Sequence, residues 1–357
     1  MRIIQLIDSL EAGGAERMAV NIANELSYKI DFSGLVVSRI EGQLKNQLDK
    51  KVDYLFLNKK RTIDIKSIKK LVVYVKKNKI NLIQAHSTSF FLAFLIKIFQ
   101  PSIKLVWHDH YGDSEFLNKR PTFVLQVVIP FYNGVISVNH NLKNWAIEKL
   151  NVKNVIYLPN FPVEEIEIDN KTYLKGISGK RIVCLANLRP QKNHLLLLKI
   201  AQKIKISHPN WTFHLVGKDF EDDYSQEIKN LIFSLNLQQN VFIYNSRQDI
   251  KNILSQSDIA ILTSSSEGLP LALLEYGLNK KPVVVTNVGE ISAIIKNNEN
   301  GFLVDSNNEN SFYKQLSKLI EDEKLRINFS KKLFDLVASS YSKDVIINQY
   351  LSWIKNT

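Results

Sequence analysis

Residues 259–275 read Ile-Ala-Ile-Leu-Thr-Ser-Ser-Ser-Glu-Gly-Leu-Pro-Leu-Ala-Leu-Leu-Glu. The first five, Ile259–Thr263, have the short apolar character of a buried strand. A polar turn follows. Pro270 suits the first turn of a helix, where its missing N–H has no partner to lose. Gly268 lets the backbone approach a ligand closely. A strand that feeds a helix through such a turn presents backbone N–H groups and a positive helix end to an anion such as a diphosphate. Glu267 lies in the loop and Glu275 on the helix. A carboxylate near a helix N-terminus is also stabilising with no further role. Glu275, flanked by Leu273, Leu274 and Tyr276, stands where a charge without a partner is costly.

The same grammar runs outward in both directions. Towards the C-terminus, Pro282–Thr286 and Gly301–Val304 read as strands. Towards the N-terminus come Val241–Tyr244, Trp211–Val216 and Arg181–Leu185. Earlier still are Val155–Leu158, Gly134–Val138, Ile103–Trp107, Leu82–Ala85, Val52–Leu57, Phe32–Ser38 and Arg2–Ile7, the last followed by a helix from about Ala15 to Ser27. Strands alternating with helices predict an α/β fold of parallel sheets built from βαβ units. At 357 residues, the chain exceeds the roughly 250–300 at which a single core stops growing. The Pro159-Asn-Phe-Pro162 pair and the charged run Val163–Lys180 mark a junction. We therefore expect two Rossmann-like domains, 1–163 and 164–340. A terminal helical segment, 341–357, should pack back on the first domain. Parallel open sheets bind ligands beyond the carboxyl ends of their strands, so two such sheets facing one another would place a site in a central cleft.

Composition narrows the function. Hydrophobic residues make up 45% and charged residues 23%, as in ordinary globular proteins. The single cysteine, Cys184, sits in an apolar run and suits a small buried hydrophobe in a reducing cytosol. The N-terminus is too short and polar for a signal peptide. The apolar run Phe90–Phe99 falls far short of the ~20 residues that span a bilayer. The formal charge is +12, of which residues 1–165 carry +8. Such a balance attracts anions, but zinc-finger, helix-turn-helix and aromatic-basic RNA signatures are absent, so nucleic acid is not an expected partner.

Further candidates also follow strands. In Cys184-Leu-Ala-Asn-Leu-Arg-Pro-Gln-Lys-Asn-His194, Arg189 and Lys192 are placed to neutralise a diphosphate whose charge rises as its bond to a sugar breaks. Arg supplies a fork and Lys a point charge. Two exposed basic residues in a basic protein are the plain alternative. Ser9-Leu-Glu-Ala-Gly-Gly-Ala-Glu-Arg17 is not the G-x-G-x-x-G fingerprint, but its glycine pair can run close to a ligand. His86, His108 and His110 follow strands of the N-terminal sheet. His108 is favoured as a site residue that bonds sugar hydroxyls or shuttles a proton, while Asp109 can pair with either neighbouring histidine. No H-x-x-x-H or D-x-D cluster calls for a metal.

Taken together, these motifs resemble the retaining GT-B glycosyltransferases with an E-x7-E motif. That family includes bacterial lipopolysaccharide, capsule and exopolysaccharide enzymes and phosphatidylinositol mannosyltransferases. The resemblance runs over nearly the whole chain. Glu267 and Glu275 match both ends of the motif, Arg189 and Lys192 the diphosphate pair, 13–16 the glycine loop, and His108 an active-site histidine. Asp258 matches the acidic residue before the motif's strand. The resemblance implies that Glu275 binds ribose, Glu267 the donor sugar, and Arg189 with Lys192 the leaving diphosphate. The main chain at Gly268, Leu269 and Pro270 would face sugar and phosphates. Gly14 would approach the phosphates, His108 the transferred sugar, and the residues from Tyr244 to Arg247 the base. No metal or other cofactor is implied. Ala186, Asn245 and Ala293 depart from the family pattern near the donor pocket and leave open which donor is used.

The expected activity is retaining transfer from a UDP- or GDP-sugar to a glycan, lipid-linked, in bacterial surface polysaccharide synthesis. A catalytically silent GT-B subunit that binds a partner or membrane is the alternative. A nucleotide-sugar epimerase is a third reading. The intact charged residues argue against the second and the E-x7-E match against the third. Lys59–Lys79 contains nine Lys and Arg and one acid, with Ile65, Ile68, Leu71, Val72 and Val75 at helical spacing. Such a helix either packs on the core with a basic outer face or rests on anionic lipid. The expected location is the cytoplasm, peripheral on the inner face of the membrane. Acceptor loops are expected within Tyr111–Asn133.

Overall fold

The computed structural model describes residues 1–11, 13–113, 116–163 and 171–357. Part of the expected junction, 164–170, and two residues of the expected acceptor region, 114 and 115, lie outside them. The chain divides into two compact units, Met1–Phe161 with Lys343–Thr357, and Pro162–Ser342.

Among the described residues the first unit holds seven strands: β1 Arg2–Ser9, β2 Phe32–Ile40, β3 Asp53–Phe56, β4 Leu82–His86, β5 Lys104–Asp109, β6 Gly134–Ser137 and β7 Val155–Tyr157. Its helices are α1 Gly14–Leu26, α2 Ile65–Lys77, α3 Phe90–Phe99, α4 Phe123–Val128 and α5 His140–Leu150. The sheet order is β3-β2-β1-β4-β5-β6-β7, and every pairing is parallel. The second unit holds β8 Arg181–Leu185, β9 Thr212–Val216, β10 Val241–Tyr244, β11 Ile259–Leu262, β12 Val283–Thr286 and β13 Phe302–Val304. Between and after them run α6 His194–Ser207, α7 Asp223–Ser234, α8 Ile250–Ser255, α9 Leu271–Leu278, α10 Ile291–Ile294, α11 Glu309–Glu321 and α12 Glu323–Ser340. Its order is β10-β9-β8-β11-β12-β13, again all parallel. The final helix, α13 Lys343–Lys355, belongs to the first unit, where Lys343 pairs with Glu25 of α1 at 3.2 Å.

Side-chain chemistry sets the boundaries. Helices in both units begin at an Asp or Asn whose side chain accepts a backbone N–H three residues on. Asp64, Asn139, Asn193, Asp222, Asn308 and Asp322 do this. The central strands β4, β9, β11 and β12 are wholly buried, as parallel strands covered on both faces must be. Cys184 packs within the second unit's core, where burial pushes its thiol up to about 12.

Two details correct the sequence expectation. Pro270 stands just before α9 rather than in its first turn, with an extended ψ of 120°. Ile65, assigned to the apolar face of α2, is exposed, because the helix starts there and the buried residues are Ser67, Ile68, Leu71 and Val75.

Each sheet reverses its strand order once, between β1 and β4 and between β8 and β11. Ligands of open parallel sheets bind at that switch point, beyond the strand ends. The two crevices so defined are described separately.

Candidate active site

In the second unit, β8 and β11 pair only through Ile259 with Ile182 and Ala260 with Val183. Beyond that they part. The Tyr276 hydroxyl, wholly buried on α9, fills the gap: it accepts the Leu185 N–H at 2.7 Å and donates to the Ile261 carbonyl at 3.3 Å. The opening therefore leaves no unpaired backbone group there.

The loops that follow the two strands are laced together. The Thr263 hydroxyl donates to the carbonyls of Lys192 and Asn193 at 3.1 and 3.2 Å, and the Ser265 N–H donates to the Gln191 carbonyl at 2.9 Å. These bonds fix a short 3₁₀ turn, Pro190–Lys192. Asn193 follows in the left-handed region, φ 52°, and caps α6. From that turn the Lys192 ammonium donates to both carboxylate oxygens of Glu267, at 2.6 and 2.7 Å. The buried Ser264 hydroxyl donates to Glu267 Oε1 at 2.7 Å. The Glu267 side chain is 6% exposed and the Lys192 side chain 25%, so the cation keeps an open side.

A third loop supports the pair. Gly289 has a φ of +55°, and a Cβ there would collide with the Glu267 carbonyl oxygen. Only glycine combines that dihedral with that approach. The next residue, Glu290, donates its N–H to the Gly268 carbonyl at 2.9 Å. Arg189 is exposed at the start of the 3₁₀ turn, its guanidinium 3.8 Å from the centre of the Phe220 ring. Lys218 approaches the same ring at 4.9 Å. Leu269 and Pro270 are buried, and Glu275 is half-buried on α9.

The structure thus brings Lys192 into direct contact with Glu267 and sets Arg189 on the same turn. It ties the Tyr244 hydroxyl elsewhere, to the Lys175 N–H at 3.0 Å and to His214 Nδ1 at 3.3 Å. Asp258 serves the strand it precedes, accepting the Arg181 N–H at 2.9 Å.

In the first unit the buried floor of the crevice carries neutral groups, while Asp8 at the end of β1 accepts from Thr88 at 2.6 Å and lies 3.9 Å from Arg39 nearer the surface. Gln5 of β1, Gln84 and His86 of β4 and His108 of β5 are all buried. Strand register aligns Gln5 with Gln84, and His86 with His108. The Gln84 amide meets His108 Nδ1 at 2.9 Å. His86 meets Gln5 Oε1 at 2.8 Å through Nε2 and His110 Nε2 at 3.0 Å through Nδ1. Burial holds His86 and His108 well below the usual histidine range, and lowers His110 to about 3. All three are uncharged near neutral pH.

Asp109 pairs with neither histidine, contrary to the sequence expectation. It takes a bidentate bond from Arg120 at 2.6 and 2.8 Å. The Arg120 guanidinium is held against the rings of Trp107, Tyr111 and Trp145. A β-carbon on Gly14, the first residue of α1, would meet nothing within 4 Å. Sequence reasoning missed Gln5, Gln84, Tyr276 and Arg120. The two glutamines carried a signal, being polar residues in otherwise apolar strands.

Comparison with known proteins follows the same division. The family "Glycosyl transferases group 1" matches residues 166–333 and "Glycosyltransferase Family 4" matches residues 12–161. The chain belongs to the GT-B glycosyltransferases. It is 26% identical to the Escherichia coli UDP-Gal:alpha-D-GlcNAc-diphosphoundecaprenol alpha-1,3-galactosyltransferase, over 99% of this chain and 97% of that one. It is 23% identical to the Erwinia amylovora amylovoran biosynthesis glycosyltransferase AmsD, over 98% of each. The solved structure of Anabaena Alr3699/HepE in complex with UDP-glucose superposes with a TM-score of 0.82 at 20% identity, covering all of both chains, and so shares the fold. As a GT-B glycosyltransferase akin to enzymes of bacterial polysaccharide synthesis, this chain has the two α/β units that its sequence predicts. No helix among the described residues is long and apolar enough to cross a membrane.

Proposed function

We propose that this glycosyltransferase moves a sugar from a UDP- or GDP-sugar to a glycan acceptor with retention of anomeric configuration, using cations of the protein rather than a metal at the leaving diphosphate. The observation that carries the reading is the Lys192–Glu267 pair, which sits at the second unit's switch point with Arg189 on the same turn. As the glycosidic bond breaks, negative charge grows on the diphosphate. Lys192 and Arg189 stabilise that charge, and being held in place beforehand they need little reorganisation to do so. Glu267, fixed by Lys192 and Ser264, is the carboxylate for the donor sugar. Glu275 takes the ribose hydroxyls, and the main chain of Gly268 to Pro270 lines the same loop. His108 in the first unit, neutral with Nε2 unpartnered, serves the transferred sugar as a hydrogen-bonding group.

The test is donor hydrolysis across a panel of UDP- and GDP-sugars, read as nucleotide release. One nucleotide series should stand out, and Glu275→Ala should lose it. Equally negligible nucleotide binding by wild type and Glu275→Ala would support a silent subunit instead.

The acceptor is proposed to be lipid-linked, with the enzyme peripheral on anionic membrane. Lys66, Lys69, Lys70 and Lys76 of α2 are exposed beside the exposed Ile65 and Val73. Each basic residue near such a surface contributes ~1 kcal/mol. Reversing those four charges should release the protein from anionic liposomes in co-sedimentation. Unchanged sedimentation would remove the membrane from the account.

A further inference from the structure

Lys59 departs from the basic run that contains it. Lys60, Arg61, Lys66 and Lys69 are exposed, whereas Lys59 is only 7% exposed. Among the described residues, no hydrogen bond or ion pair reaches its ammonium. A cation so buried is costly unless something pairs with it. We propose that Lys59, with Arg39 beside it, binds a phosphate group at the strand ends of the first unit.

The backbone puts both cations there. Leu57 and Lys59 continue β3 alongside β2, donating their N–H groups to the Val37 and Ser38 carbonyls at 2.9 and 2.6 Å. Asn58 between them is left-handed, φ 54°. The pairing of β1 with β2 shifts register after Ile7. Ile7 aligns with Val37 but Ser9 with Ile40, so Ser38 and Arg39 both stand opposite Asp8. Such a bulge re-aims a side chain, and bulges are over-represented next to active sites. Here the Ser38 hydroxyl donates to Asp8, and Arg39 Nε lies 3.9 Å from the same carboxylate. The ends of β1, β2 and β3 belong to the carboxyl edge of the sheet, where open parallel sheets bind ligands. The histidines lie across β1, on and after β4 and β5, and share none of these contacts.

The charges around Lys59 favour an anion. Asp8 accepts from the hydroxyls of Ser38 and Thr88. Asp64, also near Lys59, accepts the N–H groups of Ser67 and Lys60 at 3.0 and 3.1 Å as the cap of α2. Burial holds the Lys59 ammonium below the ordinary lysine range, and the neighbouring Arg39 charge adds to this. A phosphate oxygen supplies the counter-ion that the fold does not. Lys offers it a point charge and Arg a planar fork. Free phosphate, a sugar phosphate and a lipid headgroup all carry this group.

Thermal unfolding of the full-length protein tests the site, followed by tryptophan fluorescence. Trp107, Trp145 and Trp353 lie in the first unit. Inorganic phosphate should raise the unfolding temperature saturably, as a ligand of the folded state does. Lys59→Met keeps an apolar stem and removes the charge. It should raise the unfolding temperature in phosphate-free buffer and weaken phosphate binding by about 10–100-fold, the worth of a hydrogen bond to a charged group. Arg39→Gln should weaken binding as well, and Lys60→Gln, at the exposed neighbour, should not. The difference between wild type and Lys59→Met excludes phosphate drawn to Lys192 and Arg189. Glucose 1-phosphate and glycerol 3-phosphate, read by the same difference, separate the sources. A larger response to the first assigns a sugar phosphate, a larger response to the second a lipid headgroup, and responses equal to that of inorganic phosphate the free ion. A wild type that none of the three stabilises overturns the proposal, as does a response that survives Lys59→Met or that Lys60→Gln removes equally. No readout requires a nucleotide sugar, so failure here leaves the transfer reaction untouched.

Discussion

The two units use one sheet plan and bury opposite chemistry beside its switch point. In the second unit, a lysine and a glutamate form an ion pair, the lysine open to water on one side. In the first, histidines and glutamines meet neutral, under burial that suppresses protonation. The difference is set by depth and partners, not by topology. A charge survives at a strand end when a loop supplies its counter-ion. Without one, burial selects groups that bond without charge. A crevice of the first kind suits a ligand whose charge changes, and one of the second kind suits a ligand with hydroxyls.

The sharpest way to break this contrast is to remove the charged pair. Lys192→Ala should lower kcat/KM for transfer by about 10²–10³-fold, the range for losing one preorganised charge-stabilising group. The equivalent change in the neutral crevice should cost less. His108→Ala should lower transfer by roughly fivefold, the worth of one net neutral hydrogen bond at about 1 kcal/mol. Steady-state kinetics on both variants checks the order, and a larger loss at His108 would reverse the assignment of roles.

Architecture supplies the next tests. Tyr276→Phe leaves the Leu185 N–H and Ile261 carbonyl unpaired where β8 and β11 part, which should destabilise the second unit by about 1–3 kcal/mol in urea denaturation. Gly289→Ala should cost a similar roughly 1–3 kcal/mol from its left-handed backbone, beyond the collision with Glu267.

The last test is of pH. Burial lowers His214 to about 3 and His194 to about 4, below the ordinary value near 6.5. Between those values the unfolded chain binds more protons than the folded one, so stability rises with pH. The second unit should lose stability as pH falls from about 7 towards 4. His214→Gln should flatten that slope, as followed by thermal denaturation across the range.

Much of this was legible from sequence because parallel strands are short, apolar and punctuated by polar turns. All thirteen strands of the described residues appear where the apolar runs fall, most within a residue or two. The charged candidates were legible because they follow those strands. What was not legible depends on register between distant segments. Lys192 and Glu267 were assigned separate tasks, and only the lacing by Thr263 and Ser265 shows that one holds the other. Tyr276 read as a neighbour of Glu275, yet it closes the gap between two strands. His86 is far in sequence from His108 and becomes its neighbour only through pairing of β4 with β5. Asp109 found Arg120 across a loop that spacing alone does not fold.

The central claim is that the Lys192–Glu267 crevice holds a nucleotide by its diphosphate. Calorimetric titration of UDP, GDP and the matching monophosphates against wild type and Lys192→Ala tests it directly. One nucleoside diphosphate should bind wild type about 10–100-fold more tightly than its monophosphate, the worth of a hydrogen bond to a charged group. That margin should collapse in Lys192→Ala. Equal affinity for diphosphate and monophosphate in wild type, or a margin untouched by the substitution, would contradict the account.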